Sequence, residues 1–117
     1  MDARTGAKLW DFHSVPRPGE LGNETWQGDS WKDRSGTNAW TFQMTMDEAR
    51  GIVYMPFGAP SSTFYGGDRK GANLYGNSLV ALDAVTGQYK WHFQTVHHDI
   101  WDYDLPPAPG LVDIVKD

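Results

Sequence analysis

Residues 83–91 read Asp-Ala-Val-Thr-Gly-Gln-Tyr-Lys-Trp, and the string His-His-Asp-Ile-Trp-Asp follows at 97–102. An Asp that opens such a phrase can cap backbone N–H groups of a tight turn, and the glycine permits the positive φ that the turn needs. Trp91 then gives the next strand a large apolar anchor. The phrase also opens the chain: residues 2–15 match residues 83–96 at seven of fourteen positions, with a constant offset of 81. A repeat of this kind predicts a chain built from stacked blades or hairpins.

The composition favours short strands and loops over helices. The 117 residues include six Trp, five Tyr, five Phe, thirteen Gly and seven Pro, and no segment of helical length shows a period of 3.6. The net charge is −5 with scattered basic residues, which argues against a nucleic-acid partner. The absence of cysteine excludes disulfides and thiolate zinc sites. These observations predict an all-β chain.

The hydrophobic pattern predicts several strands separated by two long connections. The connections, 14–37 and 61–77, are rich in turn-forming residues, and the first is long enough to indicate a functional loop. A hairpin turn is expected at 47–51. Strands are expected near residues 8–13, 41–46, 52–57, 78–82 and 89–95, with a further one at 111–115.

Length limits the architecture that this repeat can form. A propeller blade takes roughly 40–50 residues, and a closed ring needs at least four blades. A chain of 117 residues is therefore too short to close a propeller. We expect it to be a segment of a larger protein.

Three further motifs, together with the repeated turn, carry a family resemblance. They are Gly-Thr-Asn-Ala-Trp at 36–40, Tyr-Gly-Gly-Asp-Arg at 65–69 and the stretch from 95 to 106 that contains His-His-Asp-Ile-Trp-Asp. The chain resembles the quinoprotein dehydrogenases that use pyrroloquinoline quinone (PQQ), most closely the membrane-bound glucose dehydrogenase branch. Alcohol and methanol dehydrogenases are more distant relatives. The resemblance covers nearly the whole chain and is weakest over 14–25.

The resemblance implies a segment of an eight-bladed quinoprotein β-propeller. Residues 1–15 would then end one blade, and residues 38–96 would form one full blade. Residues 97–117 would supply an active-site loop and the start of the next blade. On its own, this segment is expected to be inactive.

A PQQ site needs a flat apolar surface for the quinone, donors for its carboxylates, a divalent ion and a base for the substrate hydroxyl proton. The resemblance implies that Trp40 forms the floor under PQQ and that Asn38 hydrogen-bonds the cofactor rim. It implies that Asp102 is the general base, with a second assignment as a metal ligand. His98 or Asp99 would brace the loop that carries Asp102.

Each of these roles has a purely structural alternative. Trp40 could be a packing aromatic of the blade, as most tryptophans in propellers are. Asp102 could cap the turn before Tyr103, a common task for Asp in loops. Asp104 is the nearest competitor for the role of base, because it lies two residues on and on the same side of an extended strand.

The sequence does not single out one set of metal ligands. His97 and His98 point to opposite faces of an extended chain, so they make a poor chelating pair. In the methanol-oxidising relatives, an Asn after the second strand helps hold calcium, whereas here Ala59 and Pro60 offer no side-chain oxygen. The resemblance implies a calcium or magnesium ion, with the second face of the PQQ sandwich and the acidic metal ligand on blades outside this segment.

The implied function is oxidation of a sugar or alcohol hydroxyl by hydride transfer to PQQ, with a quinone or cytochrome as electron acceptor. The expected location is the periplasm, with any membrane anchor outside this segment. The alternative is a non-catalytic PQQ-like propeller that acts as a scaffold for other proteins. A third possibility is that the chain self-associates through its exposed blade edges.

Overall fold

The computed structural model describes residues 1–40 and 42–116, and its centre is one antiparallel sheet. The four strands follow one another in space in the order of the chain, so each strand pairs with the next in an up-and-down meander. One short 3₁₀ helix, Asn23–Thr25, lies in the first long connection. The strands are β1 (Thr45–Asp47), β2 (Ile52–Pro56), β3 (Ser78–Asp83) and β4 (Tyr89–Gln94).

The third strand is an interior strand of the sheet. Val80, Ala81 and Leu82 on β3 are fully buried, since β3 has a paired strand on both sides. Val80 and Leu82 point to the same face and form a core cluster with Phe57 and Tyr75. This cluster fixes the end of β2 against the middle of the sheet.

The turn between β3 and β4 has the geometry that its sequence predicts. The Asp83 carboxylate accepts the backbone N–H groups of Val85 and Thr86 at 3.1 and 3.0 Å, and the Thr86 hydroxyl at 3.0 Å. Gly87 has a φ of 73° and donates its N–H to the Asp83 carbonyl at 2.8 Å. Side-chain capping and a left-handed glycine together close the hairpin.

The same turn recurs 81 residues earlier. The Asp2 carboxylate accepts the N–H groups of Arg4 and Thr5 at 3.0 and 2.8 Å and the Thr5 hydroxyl at 2.9 Å. Gly6 has a φ of 71° and donates to the Asp2 carbonyl at 2.9 Å. The repeat in the sequence is therefore a repeat in structure.

Trp10 joins the two repeats. Its indole Nε1 donates to the carbonyl of Ala84 at 3.2 Å, and its ring covers Gly87 so closely that a Cβ there would lie 2.6 Å from Cδ2 of Trp10. Phe12, two residues on, stacks against Phe57 of the core with a centroid distance of 6.0 Å. The N-terminal segment is thus packed onto the turn and the core by its aromatic side chains.

The strand predictions are confirmed for β2, β3 and β4, and in part for β1. β1 begins at Thr45 instead of residue 41; Thr41 lies outside the described residues, and only isolated bridges, such as Ala39 with Phe57, precede β1. The hairpin turn predicted at 47–51 is present, with the Asp47 carboxylate accepting the N–H of Arg50 at 3.0 Å. The expected near-absence of helix agrees with the described residues, whose one helical element is the short 3₁₀ turn.

Two predicted strands are wrong. Residues 8–13 and 111–115 have apolar patterns but adopt no strand. A strand requires backbone partners, and within the described part of the chain neither segment makes backbone hydrogen bonds to a neighbour. In the part of the chain that the structure describes, no helix is long and apolar enough to cross a membrane.

Candidate active-site loop

The two long connections pack on each other beside the sheet. Trp26, in the first, is buried and donates its indole N–H to the carbonyl of Leu74 in the second. The N–H of Asn73 donates to the Thr25 carbonyl at 3.1 Å. Gly71 lies directly against that carbonyl, in a space that a Cβ would fill. The second connection is therefore held between the first connection and the loop that follows β4.

Asp99 organises that following loop. Its side chain is buried, and its two carboxylate oxygens accept the backbone N–H groups of Trp101 and Tyr103, both at 2.8 Å. The amide of Asn77 donates to the same carboxylate at 3.0 Å and also to the carbonyl of Tyr103. These contacts fix the backbone on both sides of Asp102.

A buried arginine, Arg69, also supports this loop. The guanidinium of Arg69 is fully buried and donates to the carbonyl of Asp99, to the carbonyl of Ser62 at 3.1 Å and to the side-chain oxygen of Asn73 at 2.7 Å. Burial lowers the pKa of Arg69 from its ordinary value. Because a buried guanidinium is costly unless it is hydrogen-bonded, this network links the second connection rigidly to the loop.

Asp102 itself has an unusual backbone and a free side chain. Its φ of 62° lies in the left-handed region, which Asp tolerates better than most residues but at some energetic cost. The side chain is exposed and accepts no hydrogen bond from the described residues. The flanking bonds to Asp99 hold the backbone in this conformation, so the loop fixes the main chain of Asp102 and leaves its carboxylate exposed.

Trp40 lies beside the end of β2, at Gly58. Its indole is 43% exposed, and Nε1 would lie 3.1 Å from a Cβ placed on Gly58. The Asp104 carboxylate fills the same corner: Oδ1 accepts the N–H of Ala59 at 2.6 Å. Asp104 therefore brings the loop after β4 to the corner beside Trp40.

Asn38 is tied to the same corner by its backbone. Its carbonyl accepts the N–H of Gly58 at 3.1 Å. Asn38 is exposed and lines an open cleft of about 460 Å³ together with Trp31 and Arg34. Neither Trp40 nor Asp102 lines this cleft, so the cleft does not bring the three predicted site residues together.

The histidine pair takes no part in a metal cluster within the described chain. His98 has a ring nitrogen, Nδ1, 2.8 Å from the carbonyl of Gly71, and the other nitrogen of the ring packs against Gly66. His97 is exposed. Residues 1–40 and 42–116 bring together no group of three or more His, Asp or Glu side chains that could hold a cation, so these residues do not form a complete metal site on their own.

Sequence reasoning did not single out Arg69, Asn77 or Asp104 as supports of the loop. The string at 65–69 carries a family resemblance, but nothing in it indicates that its arginine is buried. The sequence places Asp104 only as a competitor of Asp102. Both Arg69 and Asp104 act over long sequence separations, 30 residues to Asp99 and 45 residues to Ala59.

Comparison with known proteins identifies similar chains. Residues 1–117 match the PQQ family described as "Glucose/ethanol/alcohol dehydrogenase, beta-propeller domain". The chain is 42% identical over 113 residues to quinate/shikimate dehydrogenase (quinone) of Acinetobacter baylyi, an alignment that covers 96% of this chain and 14% of the relative. It is 36% identical over 118 residues to quinoprotein glucose dehydrogenase of Gluconobacter oxydans, with 99% of this chain and 14% of that protein covered.

Solved structures show the same likeness in three dimensions. Quinohemoprotein alcohol dehydrogenase from Comamonas testosteroni superposes with a TM-score of 0.62 at 35% identity, covering 72% of this chain and 13% of that one. A europium-containing methanol dehydrogenase gives a TM-score of 0.64 at 32% identity, covering 78% of this chain and 15% of that one. The chain thus spans about one seventh of the length of these relatives.

Proposed function

Because the chain belongs to the PQQ family of glucose, ethanol and alcohol dehydrogenases, within its β-propeller domain, we propose that it forms part of an enzyme that oxidises a sugar or alcohol hydroxyl. The propeller would have eight blades, of which residues 38–96 form one. Residues 1–15 and 97–117 would belong partly to its neighbours. The remaining blades would supply the rest of the site.

The observation that carries this proposal is the exposed side chain of Asp102 on a backbone that is held on both sides. Its carboxylate is exposed, while the backbone on both sides is held by Asp99. A general base needs a carboxylate that is free to accept a proton and that is carried by a backbone of defined position.

PQQ, when bound, supplies the acceptor for the hydride that leaves the substrate carbon. The residues of this chain have the complementary tasks. The exposed indole face of Trp40 would stack under the cofactor, and Asn38 would hydrogen-bond its rim. The Asp102 carboxylate would accept the proton of the substrate hydroxyl as the hydride departs.

A divalent cation, calcium or magnesium, would complete the site, with Asp102 as one oxygen ligand. The other ligands would come from outside the described residues, because these hold no complete cation cluster. Electrons would pass on to a quinone or a cytochrome. The expected location is the periplasm, with any membrane anchor elsewhere in the protein.

The scaffold alternative is disfavoured. The relatives that match nearly the whole chain are dehydrogenases. A scaffold would bind no PQQ.

The test is the PQQ content of the full-length protein that carries this segment. Trp40→Ala removes the proposed floor and is expected to lower PQQ retention at least tenfold through the loss of stacking surface. Trp91→Ala is the control for loss of a large aromatic side chain: Trp91 lies on β4 against Tyr54, and its loss should leave the PQQ content per folded protein unchanged. Equal retention in both variants would refute the assignment of Trp40.

The same preparations identify substrate and metal. Glucose, glycerol and quinate, chosen from the names of relatives, should be tested after chelation and reloading with Ca²⁺, Mg²⁺ or Eu³⁺. Recovery of turnover with one cation and PQQ supports the proposal. A full-length protein that binds no PQQ under any of these conditions would favour the scaffold.

A further inference from the structure

We propose that Asp104 is a positioning residue that fastens the Asp102 loop to the floor beside Trp40, using the space left by Gly58. This inference rests on the proposed roles of Asp102 and Trp40. It assigns to Asp104 a task that needs its hydrogen-bonding oxygen and does not need its negative charge.

The first argument is the contact itself. Asp104 Oδ1 accepts the backbone N–H of Ala59 at 2.6 Å, across 45 residues of sequence. On the other side of Ala59, Gly58 donates to the carbonyl of Asn38 at 3.1 Å. One short segment therefore connects the loop that carries Asp102 with the residues that border Trp40.

The second argument is the glycine. Gly58 is not among the residues with a positive φ, so its conformation does not require glycine. The requirement is space: a Cβ at 58 would lie 2.5 Å from Asp104 Oδ1 and 3.1 Å from Trp40 Nε1. Distances this short force the neighbours to move, and the Asp104 carboxylate would be displaced from the Ala59 amide.

The third argument is that Asp99 and Asp104 hold the loop to different parts of the molecule. Asp99 holds the loop to its own backbone and to Asn77, and the N–H of Asn77 donates to the Gly58 carbonyl at 3.0 Å. This link to the corner is indirect, whereas Asp104 supplies a direct one from the residues that follow Asp102. Without Asp104, the loop would retain its internal shape but would be held less tightly against the floor, and misplacement by about 1 Å can cost roughly a hundredfold in rate.

The experiment compares four variants of the full-length protein: Asp104→Asn, Asp104→Ala, Gly58→Ala and Gly110→Ala. Asn keeps a side-chain oxygen acceptor without the charge, whereas Ala removes both. Gly110→Ala is the matched control, because a Cβ there meets nothing within 4 Å and its φ is not positive.

The first readout is amide hydrogen exchange at Ala59 in the apoprotein, which is independent of PQQ and of catalysis. Asp104→Ala and Gly58→Ala should speed exchange about tenfold or more, as expected when a hydrogen bond to a charged group is lost. Asp104→Asn should retain most of the protection, and Gly110→Ala should retain all of it. Unchanged exchange in Asp104→Ala would overturn the proposal.

The second readout is turnover with bound PQQ measured on the same samples. Asp104→Ala and Gly58→Ala should lower turnover by about tenfold to a hundredfold, and the double variant should lose less than the product of the two single losses, because both changes act on the Asp104 contact. Asp104→Asn should remain within about tenfold of the parent, with the acidic limb of its pH profile unmoved. If Asp104→Asn loses turnover as completely as Asp104→Ala, the charge itself is required, and Asp104 acts as a base or cation ligand instead.

The two readouts separate this inference from the proposed function. If the exchange results hold but no variant has measurable PQQ-dependent turnover, the tether exists and the proposed function fails. If the parent is an active PQQ enzyme and exchange at Ala59 does not respond, the tether fails alone.

Discussion

Replacing Gly87 with Ala should destabilise the chain much more than the same change at Gly6. The two glycines occupy equivalent positions in the repeated turn, with φ of 73° and 71°, so the conformational cost of an alanine is shared. They differ in what covers them. A Cβ at Gly87 would lie 2.6 Å from Cδ2 of Trp10, whereas nothing lies within 4 Å of a Cβ at Gly6.

The magnitude follows from two contributions. An alanine in the left-handed region costs about 1–2 kcal/mol, which is the whole effect expected at Gly6. At Gly87 the indole must also move away, which breaks the bond from Nε1 of Trp10 to the Ala84 carbonyl, 3.2 Å long. That bond contributes about 0.5–1.5 kcal/mol, and the lost ring contact adds to it, for a total of about 3 kcal/mol.

Urea unfolding of the 117-residue chain, followed by tryptophan fluorescence, measures both changes when it is carried out at one chain concentration and in a stabilising osmolyte, since the chain alone is expected to be marginally stable. A double-mutant cycle isolates the contact. In a Trp10→Ala background, Gly87→Ala should cost only the conformational 1–2 kcal/mol. If Gly87→Ala costs the same with and without Trp10, the indole does not restrain the turn and the reasoning is refuted.

Acid and association provide two further tests. Hydrogen bonds from the backbone N–H and hydroxyl of Thr86, and an interaction with Lys90, lower the pKa of Asp83 from 3.8 to about 2; because the folded pKa is depressed, its stabilisation should be complete above about pH 4 and be lost as pH falls towards 2. Asp83→Asn should remove that part of the acid dependence, and a parent and variant with identical acid titrations would contradict this. The chain alone should be marginally stable or oligomeric, because Trp91 and Phe93 leave an apolar face of β4 exposed. A chain that sediments as a monomer and also resists urea unfolding would count against its interpretation as a segment of a propeller.

The repeated turn could be predicted from sequence because its determinants are local. Asp83, Thr86 and Gly87 lie within five residues, and the side-chain capping needs no distant partner. The strands β2 and β3 were predictable for a related reason: their apolar runs are bounded by turn residues.

Other features depended on partners that a local pattern does not reveal. Residues 8–13 and 111–115 have strand-like patterns, but a strand forms only where backbone groups find a neighbour. For the same reason, the sequence does not reveal the residues that support the candidate site. Arg69 looks like a surface cation of a polar loop until its burial beneath Asp99 is seen, and the partner of Asp104 lies 45 residues away.

The most direct test of the central claim is turnover of the full-length protein with Asp102→Asn, measured together with its bound PQQ. Asn keeps the shape of Asp but cannot accept the substrate proton, so PQQ should remain bound while turnover falls by roughly two to four orders of magnitude. Asp104→Asn, prepared in parallel, should remain within about tenfold of the parent. The account is contradicted if Asp102→Asn turns over normally, and most clearly if Asp104→Asn abolishes turnover instead.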